Sequence, residues 1–476
     1  MIQLNCSHNM YTYNTYHLVK AFFPEEEVCQ NVAEDMEDAF RMTFPDGREF
    51  AVKREEIPAG ADRSVCKYAV DTRLYEACRA YTGRELAWGL LTGVRPTKLA
   101  MQKLEEGMDR DAFVRWFRED SYVSGEKAQL AWEIAGREKS LLDRLDCRDG
   151  YSLYVGIPFC PSVCSYCSFS SGSLAQWQDH IGDYLAALLK ELAWIGERAA
   201  LCGKKMNTVY IGGGTPTTLT AGQLEELLSC IDRCFSREHL LEYTVEAGRP
   251  DSITEEKLQV LRGHGITRIS INPQTMQQRT LDLIGRRHTV DEIKESFHMA
   301  RGLGFDNINM DLIAGLPGEK TGDMKDTLEK IRALDPDSLT VHSLAVKRAA
   351  RMGQEGYIPG GEEIGDMLDL AAETARAMGM FPYYLYRQKN IAGNFENTGY
   401  AKVDKAGIYN ILIMEEKQSI IAAGAGASTK IVLKEPVPSP EGRGKKTNLI
   451  RQENVKAIDA YVRRVDEMIE RKGEWL

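Results

Sequence analysis

The sequence predicts an α/β protein whose central part is a partial (β/α)6 barrel, with an N-terminal accessory domain and a mixed α+β C-terminal region. Short apolar runs rich in Val, Ile, Leu and Tyr alternate with longer amphipathic segments, and most of the runs end in Gly, Pro or Asn. Alternating β and α units favour a parallel sheet with right-handed crossovers. Six units are two fewer than a complete eight-fold barrel contains, so we expect an open barrel.

This pattern divides the chain into three parts. Residues 1–148 form the accessory domain, residues 149–350 the barrel and residues 351–476 the C-terminal region. The predicted barrel strands are 153–157, 208–211, 243–245, 267–271, 308–313 and 339–344. Helical periodicity between them covers 184–189, 224–228, 257–261 and 293–303.

Composition and charge narrow the class of protein. The 476 residues are 43% hydrophobic and 27% charged, which is typical of a soluble globular chain with two or three domains. The net charge of −10 argues against a protein that coats nucleic acid, although a local basic pocket can still bind a small anion. The sequence has no apolar run of membrane-spanning length and no signal-peptide pattern at its start, so we expect a cytoplasmic protein without a membrane span.

Three cysteines lie close together directly after the first predicted strand. Cys160, Cys164 and Cys167 form a C-x3-C-x2-C motif. Iron–sulfur clusters are normally held by four cysteines, so three leave one iron open to a bound molecule, as an open position does in catalytic metal sites. A zinc site would need a fourth Cys or His at ligand spacing, and a disulfide framework would need a secreted chain. The motif therefore favours a catalytic iron–sulfur cluster.

Polar or Gly-rich elements follow the other predicted strands. The segment 212–217 (GGGTPT) follows the second strand, Glu246 ends the third, Gln274 follows the fourth and Asp311 lies near the end of the fifth. In barrels of this kind the chemistry gathers at the carboxyl ends of the strands. Five consecutive strands that each deliver such an element to one rim predict an active site there.

These motifs resemble a known family. Residues 154–160 (YVGIPFC), with Cys164 and Cys167, resemble the radical S-adenosylmethionine (radical SAM) superfamily, and more narrowly the oxygen-independent coproporphyrinogen III oxidases and their relatives. The segments 212–217 and 311–317 (DLIAGLP) and the Gly-rich stretch near Gly424 extend the resemblance. Residues 88–98 (WGLLTGVRPTK) resemble the HemZ subgroup, which carries an N-terminal extension.

The resemblance implies a 4Fe–4S cluster and S-adenosylmethionine (SAM) as cofactors. The three cysteines would hold the cluster, and Tyr154 and Glu246 are the residues assigned to catalysis. The candidates for SAM binding are Tyr154, Tyr166, Gly213, Gly214, Thr215, Glu246, Gln274, Arg286, Asp311 and Ala345. The last four match positions that bind a second SAM molecule in the oxidases. The alternative for Gln274, Arg286 and Asp311 is a buried polar network that ties the strands together.

The activity that the resemblance implies is oxidative decarboxylation of two propionates of coproporphyrinogen III to vinyl groups, in porphyrin and haem biosynthesis. The chemistry would use a 5′-deoxyadenosyl radical, and its electron would come from a donor such as flavodoxin or ferredoxin. The substrate is a polyanionic small molecule, so its pocket needs cations. Arg249, Arg286, Arg287 and Lys347 are the candidates.

The sequence departs from the family in three places. Phe169 stands where the oxidases carry a further cysteine, and Gly248 stands where an acidic residue is common. The His-Asn pair of the haem-chaperone branch corresponds to Glu396 and Asn397. The chain therefore carries neither the further cysteine of the oxidases nor the His-Asn pair of the haem chaperones.

Two alternative functions follow from these departures. The first is a haem-binding chaperone, in which His342, His288 or a cysteine would be the axial ligand. The second is a radical SAM enzyme with another substrate, such as a nucleotide or RNA, which the N-terminal domain would recognise. The acidic balance of the chain counts against RNA.

Overall fold

A large mixed sheet forms the centre of the protein. The computed structural model describes residues 1–93, 95–168, 172–357, 363–388, 392–439 and 446–474. The strands in these ranges are β1 (Ile2–Cys6), β2 (Val28–Val32), β3 (Asp38–Thr43), β4 (Glu49–Lys53), β5 (Gly150–Ile157), β6 (Phe159–Cys160), β7 (Gly172–Ser173), β8 (Lys205–Gly213), β9 (Glu242–Gly248), β10 (Arg268–Ile271), β11 (Ile308–Ala314), β12 (Ser338–Ser343), β13 (Phe381–Tyr386), β14 (Asn397–Ala401), β15 (Ser419–Ala423), β16 (Ser428–Pro438) and β17 (Lys446–Glu453).

The helices of the described ranges cover both ends of the chain and connect the central strands. They are α1 (Asn9–Phe22), α2 (Arg63–Thr82), α3 (Thr97–Glu105), α4 (Arg110–Ser121), α5 (Gly125–Leu142), α6 (Leu174–Trp177), α7 (Ile181–Leu201), α8 (Ala221–Cys234), α9 (Glu255–Gly263), α10 (Gln278–Leu283), α11 (Val290–Gly302), α12 (Thr321–Leu334), α13 (Arg351–Gln354), α14 (Ile364–Ala377), α15 (Ile408–Glu415), α16 (Ile458–Arg463) and α17 (Val465–Gly473). Across the described residues, no helix is both apolar enough and long enough to pass through a bilayer.

The predicted α/β fold class is confirmed. The central sheet has the order β13-β14-β12-β11-β10-β9-β8-β5-β15-β16-β17. Six consecutive strands in it, from β5 through β8 to β12, are parallel neighbours and include all six predicted strands. Because successive parallel strands are joined by helices on the outer face, their carboxyl ends meet at one rim.

The strands and helices of the barrel follow ordinary local rules. β5 and β9 are buried along almost their whole length, which explains why they appear as continuous apolar runs. α8 and α11 each begin with a capping box, in which Thr220 pairs with Gln223 and Thr289 with Glu292. These signals start the outer helices at defined residues and so keep the crossovers short.

The N-terminal part forms two small cores. The first is built on a separate sheet of order β2-β1-β3-β4, against which α1 and α2 pack. The second lies among α3, α4 and α5 around the fully buried Trp88, and it includes Leu385 of β13. The helical part of the extension is therefore packed directly against the edge of the central sheet. The domain boundaries at 148 and 350 stay a prediction.

The Gly-rich stretch near Gly424 has a structure that the composition does not indicate. Ala422 and Ala423 end β15, a buried strand that pairs in parallel with β5. Gly424 has a φ of +105°, and a Cβ there would lie 2.6 Å from the carbonyl oxygen of Gly156 and 2.8 Å from the hydroxyl of Tyr184. Alanine and glycine are needed at the end of β15 because the neighbouring backbone and side chains lie so close. These small residues do not show the composition that is typical of a strand, so the sequence does not reveal β15.

Candidate active site

One cavity of about 480 Å³ collects the predicted site residues at the carboxyl ends of the barrel strands. Its lining includes every residue that the sequence singled out as a cluster ligand or SAM contact: Tyr154, Cys160, Cys164, Tyr166, Cys167, Gly213, Gly214, Thr215, Glu246, Gln274, Arg286, Asp311 and Ala345. These residues come from positions up to 191 apart in the chain. The fold thus brings the cysteine motif and the strand-end residues to one place, as the sequence predicts.

The Gly-rich turn after β8 holds the start of the cysteine loop. The backbone amide of Gly214 donates to the carbonyl of Ile157 at 2.8 Å, and that of Thr215 donates to Phe159 at 2.7 Å. A Cβ on Gly214 would lie 2.5 Å from the Phe159 oxygen and 3.0 Å from the Cys160 sulfur. The Thr215 hydroxyl donates to Cys160 Sγ at 3.7 Å. Glycine is therefore required at position 214, because the cysteine loop occupies the space of a side chain.

The opposite side of the loop rests on the turn after α10. Ser162 Oγ donates to the carbonyl of Gly285 at 3.0 Å, and the amide of Ser165 donates to Ile284 at 3.0 Å. These bonds lie on either side of Cys164, which is itself buried. Hydrogen bonds within the protein consequently hold the loop from both sides.

Two buried arginines lie against Cys164. Arg249 Nη1 is 3.8 Å from the Cys164 sulfur, and Arg249 is 3% exposed. Arg286 is 5% exposed, makes no ion pair with a carboxylate among the described residues, and its Nε has no hydrogen-bond partner there. Burial by itself would lower the pKa of Arg286, but Tyr166 and Cys164 raise it. A buried cation is costly without an anion, and an anionic thiolate-bound cluster provides one. The residues therefore fit an iron–sulfur cluster.

The zinc alternative has less support from the geometry. Across the ranges that the structure describes, no three His, Cys, Asp or Glu side chains converge as they would on a single metal ion. A tetrahedral zinc requires its ligands at about 2.0–2.3 Å and thus close to one another. In an iron–sulfur cluster each cysteine binds a different iron, so the three sulfurs need not converge on one point.

Glu246 is a buried carboxylate at the end of β9. It accepts a hydrogen bond from the hydroxyl of Tyr210. Burial raises the pKa of Glu246 to about 7, although the bond from Tyr210 acts in the opposite direction. A Cβ on Gly212 would lie 3.0 Å from the Glu246 carboxylate, so the glycine leaves room for it. The side chain is placed to accept hydrogen bonds from a ligand in the cavity.

Asp311 and Gln274 are joined by a backbone hydrogen bond in the same cavity lining. The amide of Gln274 donates to the Asp311 carbonyl at 2.9 Å, and Gln274 has a φ of +67°, a left-handed conformation that is uncommon without glycine. Asp311 accepts from Asn309 at 2.7 Å and lies 3.8 Å from His342. Burial would raise the pKa of Asp311, but these neighbours together lower it, so the carboxylate stays charged.

The predicted residue Tyr154 belongs to an aromatic group in the barrel interior whose other members were not predicted. The rings of Tyr210 and Tyr409 stack with centroids 4.5 Å apart, and Tyr154 stacks on both at 6.3 Å. Tyr384 and Tyr386 of β13 also line the cavity. Tyr210 pairs in register with Tyr154, so the alternation along β8 identifies it as inward-facing. Nothing in the local sequence marks Tyr409, because its element reaches the barrel only through the tertiary fold.

The four cationic candidates for substrate binding differ in whether they line the cavity and whether they are exposed. Arg249 and Arg286 line the cavity but lie against Cys164. Lys347 lines the cavity and is exposed, whereas Arg287 is exposed and lies outside the lining. A further buried cation in the lining, Arg268, was missed, since it lies inside a strand and resembles core. Of the named candidates, Lys347 is the one free to meet a substrate at the mouth.

The residues relevant to haem binding also differ in whether they line the cavity. His342 lines the cavity, but His288 is fully buried and lies outside the lining. Glu396 and Asn397 are buried and do not line it either. Phe169 lies outside the described residues. Of the two predicted histidine ligands, His342 is therefore the one that a molecule in the cavity would meet, and Cys160, Cys164 and Cys167 also line the cavity.

The chain is similar to a protein-family model, to two bacterial proteins and to one solved structure. Residues 154–331 match the model of the radical SAM superfamily. The chain is 44% identical over 359 residues to the oxygen-independent coproporphyrinogen-III oxidase-like protein HemZ of Bacillus subtilis, covering 74% of this chain and 72% of that protein. It is 32% identical over 282 residues to the haem chaperone HemW of the same organism, covering 58% and 70%. The structure of coproporphyrinogen III oxidase (HemN) from Escherichia coli, described as a radical SAM enzyme, aligns with a TM-score of 0.53 at 22% identity, over 70% of this chain and 73% of that one, and supports the fold.

Proposed function

This chain belongs to the HemN/HemZ-like family of the radical SAM superfamily, and we propose that it is an oxidoreductase that decarboxylates coproporphyrinogen III. Its cofactors are a 4Fe–4S cluster and SAM. When bound, they would supply one 5′-deoxyadenosyl radical for each propionate, to remove one hydrogen atom from it, and an external acceptor would take the electron that each decarboxylation releases. The observation that carries the proposal is the single cavity that unites the three cysteines with the SAM candidates.

The chain's own residues divide the work in this proposal. Cys160, Cys164 and Cys167 hold the cluster at one end of the cavity, and Glu246 accepts hydrogen bonds from the SAM ammonium or ribose. Tyr154, which stacks on Tyr210 in the cavity lining, helps to exclude water. Lys347 at the mouth pairs with a substrate carboxylate.

A turnover assay tests this function. The reconstituted protein is incubated without oxygen with dithionite, SAM and coproporphyrinogen III, and 5′-deoxyadenosine, carbon dioxide and porphyrinogen products are measured. We expect all three to form together. Cys164→Ala should lose iron and deoxyadenosine formation, whereas Cys202→Ala, which changes an exposed cysteine outside the cavity, should retain both.

The outcomes of this assay separate the alternatives. If deoxyadenosine forms while coproporphyrinogen III is unchanged, the protein is a radical SAM enzyme that acts on another substrate. Absence of deoxyadenosine from a fully iron-loaded protein would overturn the radical function itself.

A haem-delivery function is the second candidate, and the similarity to HemW supports it. Its ligand would be His342, the predicted histidine ligand that lines the cavity, because the cysteines there are assigned to the cluster. A haem titration followed by absorbance should then give a Soret shift that His342→Ala abolishes. A spectrum of free haem at every protein concentration would eliminate this candidate.

A further inference from the structure

Arg249 makes an unusually complete set of contacts beneath the cysteine loop. Its Nη1 donates to the carbonyl of Ser162 at 3.0 Å, to Ser162 Oγ at 2.9 Å and to Cys164 Sγ at 3.8 Å. Its Nε and Nη2 donate to the two oxygens of Asp251, at 2.9 and 2.6 Å. A planar guanidinium can bridge a carboxylate and a sulfur in this way, whereas lysine lacks the fork.

Asp251 connects Arg249 to the next layer of the protein. Its Oδ1 lies 3.8 Å from Nδ1 of the fully buried His288. Burial would raise the pKa of Asp251, but His288 and Arg249 outweigh it and lower the pKa, so the carboxylate is ionised. Arg286 supplies a second buried cation near Cys164. The sulfur of Cys164 thus faces two guanidiniums and one more distant carboxylate.

We propose that Arg249 is a positioning residue that raises the reduction potential of the cluster through Cys164. The Asp251 carboxylate shifts the potential in the opposite direction. This inference rests on the proposed radical SAM function. Hydrogen bonds to sulfur, net charge and solvent exposure determine the potential of iron–sulfur clusters. The cysteine loop also places Cys164 away from solvent, so the charge of Arg249 is weakly screened there.

The direction of the effect follows from charge. On reduction the cluster gains one electron from an external one-electron carrier, for which dithionite substitutes in the assay, and Arg249 stays protonated throughout. The reduced cluster carries one more negative charge than the oxidised cluster. A nearby guanidinium therefore stabilises the reduced form and raises the potential, and the Asp251 carboxylate lowers it.

Potentiometry followed by electron paramagnetic resonance of the reduced cluster tests the proposal without any turnover. Arg249→Gln should lower the ratio of reduced to oxidised cluster at a fixed potential about tenfold, a shift of about 59 mV in midpoint for a one-electron couple. Asp251→Asn should shift the midpoint in the opposite direction. Arg249→Lys, which keeps the charge and loses the fork, should lie between wild type and Arg249→Gln.

Arg301→Gln is the matched control. Arg301 pairs with Asp337 at 2.6 Å beside the start of β12, at the end of the sheet away from the cysteine loop. Its loss should leave the midpoint unchanged. Iron content is measured for every variant, so that a change in loading is not read as a change in potential.

An unchanged midpoint in iron-loaded Arg249→Gln overturns the inference. A shift of Arg249→Gln and Asp251→Asn in the same direction also overturns it, since general damage and not charge would then be responsible. If Arg249→Gln does not load iron, the sign of the Asp251→Asn shift alone decides. Shifted midpoints in a protein that leaves coproporphyrinogen III unchanged would support this inference and reject the proposed substrate.

Discussion

At the scale of single residues, Glu246 is the group whose protonation state the cavity controls most directly. Burial raises its pKa to about 7, from an ordinary 4.5, while Tyr210 donates to it. Near neutral pH the Glu246 side chain is therefore a mixture of carboxyl and carboxylate. A ligand ammonium favours the charged form, so binding and proton release are linked.

SAM binding at pH 7 should release about half a proton from Glu246 if the ammonium group pairs with this residue. Titration calorimetry in two buffers of different ionisation enthalpy measures the release. Glu246→Gln should release none and bind SAM about 10- to 150-fold more weakly, because a charge-assisted hydrogen bond is worth about 1.5–3 kcal/mol. Equal proton release in wild type and Glu246→Gln would place the titrating group elsewhere.

The same residue affects the stability of the ligand-free protein. Because its folded pKa is raised, the folded chain binds the proton more tightly than the unfolded chain. The stability from Glu246 is complete below about pH 4.5 and is lost as the pH rises through about 7. The loss is on the order of 3 kcal/mol. Glu246→Gln should remove this part of the pH dependence in urea unfolding.

At the scale of elements, the short helix α15 completes the barrel wall. The carboxylate of Glu242 on β9 accepts hydrogen bonds from the backbone amides of Ile408 and Tyr409, which satisfies donors at the start of the helix. Tyr409 then stacks on Tyr210 inside the cavity. The C-terminal end of α15 lines the cavity through Ile413 and Met414. A single eight-residue helix therefore contributes Tyr409, Asn410, Ile413 and Met414 to the site.

Tyr409→Ala should cost about 3–5 kcal/mol of unfolding free energy, since it removes a buried aromatic ring and leaves a cavity. Tyr409→Phe keeps the stacked ring and should cost less than about 1 kcal/mol. Urea unfolding of the two variants, with SAM affinity measured in parallel, checks this. Similar losses in both would assign the effect to the hydroxyl and not to packing of α15.

At the scale of the whole molecule, a buried polar network joins the N-terminal extension to the rim of the barrel. Glu396 accepts from Lys127 of α5 at 2.6 Å and from Trp88 Nε1 at 2.8 Å. Its carbonyl accepts from the hydroxyl of Ser343, which lines the cavity, at 2.9 Å. Arg387 donates to the carbonyl of Leu91. The extension therefore supports a segment that is bonded to the cavity lining.

Lys127→Met should destabilise the protein by about 3–5 kcal/mol, because Glu396 would be left as a buried unpaired charge. The double variant Lys127→Met with Glu396→Gln should recover part of this loss, so that a double-mutant cycle shows coupling. Lys139→Met on the same helix, which breaks the exposed pair with Asp143, should cost less than about 1 kcal/mol. Additive effects of the two changes would contradict the network.

The local sequence was sufficient to predict the strands of the barrel and the polar residues at their carboxyl ends. Strand periodicity and the cysteine spacing depend on neighbours a few residues apart, and the rule that parallel strands share a rim extends them to one site. This is why Cys160, Glu246 and Asp311 could be assigned together, and all three line the cavity. The order of the six strands in the chain already implies their order in space.

The tertiary structure decided which charges face which groups. Arg249 looks in the sequence like a substrate cation, but the fold places it on Cys164 and Asp251. Tyr409 and Glu396 belong to segments far from the barrel strands, and their roles depend on contacts with Tyr210 and Lys127 that no local pattern encodes. Periodicity records which face of an element is buried, whereas a partner distant in the chain is selected only when the elements pack.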